Sequence, residues 1–89
     1  MRGKQTYTED EVSLAKNLAE KVRQLREEKG FTQEKLAFEA NLTVPTYQRL
    51  EKGFSNKNNG EPLNPKTFTL LRVCKALGIT LSELLEGLD

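Results

Sequence analysis

Residues 31–53, FTQEKLAFEANLTVPTYQRLEKG, leave few folds open to this chain. They read as two short helices joined by a tight turn. Thr32 suits an N-cap, and Leu36, Ala37 and Ala40 lay an apolar stripe along the helix that follows. Thr43 is the next N-cap. Pro45 is tolerated because it falls in the first turn, where its missing N–H would have no intrahelical partner. Tyr47 and Leu50 then point inward, while Val44, Pro45, Thr46, Gln48 and Arg49 face outward or flank the core. Helices this short cannot bury a core by themselves, so the pair must ride on a scaffold.

Helical signals supply that scaffold. Thr8 followed by Glu11 has the form of a capping box. Val12, Ala15, Leu18, Ala19, Val22 and Leu25 recur at three- and four-residue steps, and Gly30 ends the run with Phe31 folding back on the last turn. Downstream, Asn64 and Pro65 predict an N-cap and a first helical proline, followed by Phe68, Leu71, Val73, Cys74 and Leu77, with Gly78 as the stop. Thr80 and Glu83 form a second capping box, opening a short helix with Leu81, Leu84, Leu85 and Leu88. Between Gly53 and this region, residues 54–63 (FSNKNNGEPL) are polar and punctuated by Gly60 and Pro62, which reads as loop. The expectation is an all-α, compact five-helix bundle: a loose tail over residues 1–7, one domain over 8–89, and an extended loop at 54–63.

Composition narrows the chemistry. The 89 residues make one domain. One cysteine and no histidine fall short of the roughly four ligands of a structural zinc site, and one cysteine cannot make an internal disulfide. No apolar run nears the roughly 18 residues of a membrane helix, and the N-terminus has no secretory h-region, so the expectation is a cytoplasmic protein without metal or cofactor. Cys74 falls on an apolar helix face, and Glu27, Glu28 and Glu34 fall on solvated faces. The chain is therefore read as a non-enzyme. Its net charge of only +1 means that any nucleic-acid surface must be made by sorting charges onto one face.

A two-helix unit whose second helix has a polar outer face is suited to the major groove of DNA. The wider pattern resembles the lambda-repressor-like (Cro/C1, or xenobiotic-response-element type) helix-turn-helix family. The resemblance rests on LREEKG at 25–30, TQEKLA at 32–37, LEKG at 50–53, Pro65, TLL at 69–71 and KALG at 75–78, and it covers most of the chain. It implies that Val44, Pro45, Gln48 and Arg49 reach base edges. Phosphate contacts would come from Thr32, Gln33, Thr46, Lys52 and, in the loop, Lys57. Arg26 and Glu51 match a partly buried ion pair, and Ala37 a position kept small where helices two and three cross. The chain departs from the pattern at Asn41, in place of a turn glycine; at Tyr47, in place of an aliphatic residue; and in the longer loop after Gly53.

The function so implied is a sequence-specific DNA-binding transcriptional regulator, a repressor or autoregulator. It would act as a homodimer on an inverted-repeat operator, with Leu88 a candidate for the two-fold contact. The alternative is an antitoxin-like or adaptor module using the same fold on a protein partner such as a toxin.

Overall fold

The computed structural model describes residues 7–56 and 61–88. Five helices carry the fold: α1 (Glu9–Glu28), α2 (Gln33–Glu39), α3 (Val44–Lys52), α4 (Thr67–Leu77) and α5 (Leu81–Leu85). The all-α bundle expected from the sequence is present, with two very short strands, β1 (Phe54–Asn56) and β2 (Glu61–Pro62), between α3 and α4. Of the expected tail, only Tyr7 is described.

Helix α1 is the backbone of the bundle. The Thr8 hydroxyl accepts from the Glu11 amide at 3.0 Å, and the Glu11 carboxylate accepts from the Thr8 amide at 2.9 Å. Glu9, Asp10 and Glu11 in the first turn also suit the positive end of the helix dipole. Ala15, Leu18, Ala19 and Val22 are buried at helical spacing. They face a core completed by Leu36, Ala37, Ala40, Tyr47, Leu50, Val73, Cys74, Leu77 and Leu84.

The α2–α3 turn follows from its caps. Thr32 Oγ1 accepts from the Lys35 amide at 3.0 Å, and Thr43 Oγ1 from the Thr46 amide at 3.3 Å. Between them Asn41 adopts φ +58°, the left-handed conformation that asparagine tolerates. The Leu42 amide then reaches back to the Ala37 carbonyl at 2.8 Å, closing the turn. At the other end of α3, Gly53 has φ +80°, and a Cβ built there would lie 3.4 Å from the Ala15 carbonyl oxygen. The left-handed conformation is what favours glycine here, since a Cβ would make only ordinary van der Waals contact with α1.

Three sequence expectations are corrected. Residues 54–63 are not wholly loop: β1 and β2 pair antiparallel, Phe54 opposite Pro62 and Asn56 opposite Glu61, with an irregular register. The Leu63 amide to the Gly53 carbonyl at 3.0 Å extends the pairing to the end of α3. Strands of three and two residues are too short for alternation to show in sequence.

Helix α4 starts at Thr67 rather than at Pro65, and its N-cap is Lys66, which makes no side-chain capping bond. Pro65 instead lines an apolar groove with Leu14, Leu18, Leu63 and Leu70. The inward positions of α4 are Leu70, Val73, Cys74 and Leu77, and Phe68, on the opposite side of the helix, is 75% exposed.

In α5, Leu84 is buried and Leu88 packs on the core, whereas Leu85 is exposed. Gly87, with φ +76°, turns the chain so that Leu88 folds back. The leucine left outward is therefore Leu85 and not Leu88. Lys21 Nζ donates to the carbonyls of Glu83 at 2.8 Å and Glu86 at 3.0 Å, fastening the end of α5 to α1.

Candidate nucleic-acid interface

The fold leaves one side of α3 uncovered. Tyr47 and Leu50 face the core, so Pro45, Gln48, Arg49 and Lys52, at steps of three and four, form the outer face. Pro45, Arg49 and Lys52 are exposed and Gln48 is half-buried. Val44 is half-buried and packs against the core, which divides it between interior and surface. Neither Arg49 nor Lys52 has an ion-pair or hydrogen-bond partner among the described residues. The weak net charge is sorted here, because the only carboxylate on α3, Glu51, is turned inward and matched by Arg26.

Arg26 and Glu51 form the ion pair that the resemblance implies. Arg26 Nε lies 2.6 Å from Glu51 Oε2, and Nη2 donates to Oε1 at 3.3 Å. Arg26 Nη1 donates to the Phe31 carbonyl at 2.8 Å, which ties the end of α1 to the start of the turn unit. The Glu51 side chain is only 4% exposed. Burial alone would push its carboxyl up; hydrogen bonds from Arg26, Tyr47 and Gln33, with the guanidinium charge, outweigh that and hold it below the usual carboxylate range. The same pair raises Arg26.

The network extends further than the sequence indicated. The Tyr47 hydroxyl donates to Glu51 Oε2, and burial together with that carboxylate pushes the phenol well above its ordinary value. Gln33 Nε2 donates to Glu51 Oε1 at 2.9 Å, and Gln33 Oε1 accepts from Gln48 Nε2 at 3.2 Å. Gln33, at the first position of α2, is thus braced against α3, with one Nε2 hydrogen still uncommitted. Its tie to Gln48 had no signature in sequence, because the two lie 15 residues apart with no shared spacing rule.

The remaining site residues are distributed around this face. Thr32 is the capping hydroxyl of α2, and Thr46 lies in the first turn of α3: each hydroxyl accepts a hydrogen bond, Thr32 Oγ1 from the Lys35 amide and Thr46 Oγ1 from the Thr43 hydroxyl at 2.8 Å. Each keeps its own hydroxyl hydrogen for an acceptor. Lys57 lies outside the described residues. One cation was missed: Lys66 lines a cleft of about 380 Å³ with Thr46, Arg49, Asn64 and Thr69. The assignment of Asn64 as N-cap hid it; with α4 beginning at Thr67, Lys66 stands at the mouth of the helix beside α3.

Residues 22–84 match the helix-turn-helix family. The chain belongs to that family. It is also similar to the HTH-type transcriptional regulator DdrOP3 of Deinococcus deserti, 35% identical over 72 residues, which is 81% of this chain. The match spans 50% of that relative's length, so this chain corresponds to about half of it. No described helix is long and apolar enough to cross a membrane. Among the described residues, no group of three or more histidine, cysteine or acidic side chains is arranged to hold a metal ion.

Proposed function

We propose that this chain is a sequence-specific DNA-binding regulator of transcription that lays α3 in the major groove. The observation that carries this reading is the outer face of α3: Pro45, Gln48, Arg49 and Lys52 stand together, and both cations lack partners within the described protein. Arg49 suits a guanine edge, Gln48 an adenine edge, and Val44 and Pro45 a thymine methyl. Gln33, Thr32, Thr46, Lys52 and Lys66 surround that face as phosphate contacts, and Lys57 would join them from the segment between the strands.

The regulator so proposed is a repressor or autoregulator of the cytoplasm that binds an inverted repeat as a homodimer, with recognition helices about one turn, or ~34 Å, apart. Exposed Leu14 and Leu85 line one apolar groove, which moves the candidate two-fold contact from Leu88 to that groove. A second reading, an adaptor or antitoxin-like module for a protein such as a toxin, draws support from Phe38 and Phe68, 79% and 75% exposed.

Selection of bound fragments from a randomised duplex pool tests the proposal. It should return one recurring motif, arranged as an inverted repeat. Recovery of no motif, with weak and uniform binding, would turn the assignment toward the protein-interaction module.

A further inference from the structure

We infer that the outer face of α4, made by Phe68, Leu71, Arg72 and Lys75, docks a protein partner that presents an acidic, apolar segment. The inference goes beyond the DNA-binding reading and does not depend on it.

Helical geometry sets the surface. Val73, Cys74 and Leu77 are buried and Leu70 packs on the core, which marks the inner side of α4. Phe68, Arg72 and Lys75, at steps of four and three, fall on the opposite side, with Leu71 at its edge. All four are exposed. Lys66 and Thr69 instead line the cleft with Arg49 of α3, so the outer face of α4 is a surface separate from that cleft.

Charge identifies the partner. Helix α4 carries no carboxylate, and neither Arg72 nor Lys75 has an ion-pair or hydrogen-bond partner among the described residues. The other exposed apolar side chains have different company. Phe38 shares α2 with Lys35, whose charge is met by Glu39 at 3.2 Å. Leu14 and Leu85 line a groove whose charged member is Glu11. On α4 alone, an exposed aromatic ring and a leucine stand beside two free cations one turn apart. Carboxylates of a partner would meet Arg72 and Lys75 while its apolar side chains cover Phe68 and Leu71. Aromatic residues and arginine are the groups that protein interfaces favour.

Two other occupants fit this face less well. Duplex DNA would match the cations with phosphates but leave the phenyl ring and the leucine uncovered in a polar interface. A second copy that paired α4 with α4 about a two-fold axis would set Arg72 and Lys75 against the same cations.

The test selects short displayed peptides on the immobilised full chain and titrates the enriched ones against the parent chain and its variants. Enriched peptides should combine Asp or Glu with Leu, Ile or Phe. Phe68→Ser and the double variant Arg72→Glu, Lys75→Glu should each weaken their binding by roughly tenfold or more, and Phe38→Ser should leave it unchanged. Thermal melts establish that each variant folds; should the double reversal fail to fold, Phe68→Ser decides. Peptides that lack acidic residues, or that bind the variants as tightly as the parent chain, overturn the inference. A library from which nothing is enriched overturns it as well. Sedimentation and affinity for random duplex, measured on the parent chain and Phe68→Ser, examine the other occupants. Self-association lost in Phe68→Ser would give the face to a second copy, and duplex affinity lost in that variant would give it to DNA. Either result overturns the inference.

Discussion

Arg26 Nε and Glu51 Oε2 meet at 2.6 Å across 25 residues of sequence, joining the last turn of α1 to the last turn of α3. The pair sits where the scaffold and the two-helix unit meet, so the orientation of α3 depends on it. Removing one partner leaves the other charged and almost dry, which costs more than the pair contributes when intact.

Glu51→Ala should therefore destabilise the fold by about 2–4 kcal/mol at neutral pH, measured by urea unfolding. The pH dependence has a definite sign. The folded-state carboxyl is held below its unfolded value, so its contribution is complete above the unfolded value of about 4.3 and is lost as pH falls through the lowered folded value. The gap in stability between the parent chain and Glu51→Gln should be widest near neutrality and should close on acidification. A gap that widens toward acid would contradict the lowered carboxyl.

Lys21 is the second fastening point. Its ammonium caps two carbonyls at the end of α5, a helix of only five residues that cannot persist by propensity. Lys21→Met keeps most of the aliphatic stem and removes the donors. We expect a loss of about 1 kcal/mol and faster amide exchange confined to α5 and residues 86–88. Uniformly faster exchange through α1 and α3 would show that Lys21 does more than hold α5.

Gly53 tests the close crossing of α1 and the end of α3. Gly53→Ala must place a Cβ 3.4 Å from the Ala15 carbonyl oxygen while keeping a left-handed backbone. The conformation alone should cost about 1–2 kcal/mol. A melt within a degree of the parent chain would mean that the α3 end can shift to accommodate the methyl group.

The parts of this architecture legible in sequence are those governed by local chemistry. Thr8, Thr32, Thr43 and Thr80 were each readable as caps because the capping residue and the amide it serves lie within three residues. The burial of Tyr47 and Leu50 followed from helical spacing. The Arg26–Glu51 pair came only through family resemblance, since no local rule links positions so far apart.

What stayed hidden depended on tertiary position. Pro65 carries the same first-turn signal whether it opens a helix or fills a groove, and packing against Leu14, Leu18 and Leu63 decided between them. The buried stripe of Leu70, Val73, Cys74 and Leu77 leaves Phe68 on the opposite side of α4, and Lys66 lines one cleft with Arg49. The tie from Glu51 through Gln33 to Gln48 joins three polar residues that a sequence reading treats as independent. The roles proposed for individual residues at DNA rest on geometry and on resemblance, and they separate experimentally.

Arg49 and Lys66 line one cleft but should respond differently to removal. A base contact carries sequence information, so Arg49→Ala should cost roughly 1–3 kcal/mol on the selected site and much less on random duplex. A phosphate contact carries none, so Lys66→Ala should weaken both nearly alike and reduce the salt dependence by about one counterion. Affinities for the two kinds of duplex at several salt concentrations separate the cases. Equal losses on both duplexes for Arg49→Ala would make Arg49 a phosphate contact. An unchanged salt slope for Lys66→Ala would place Lys66 off the DNA and confine the interface to α3 and the start of α2.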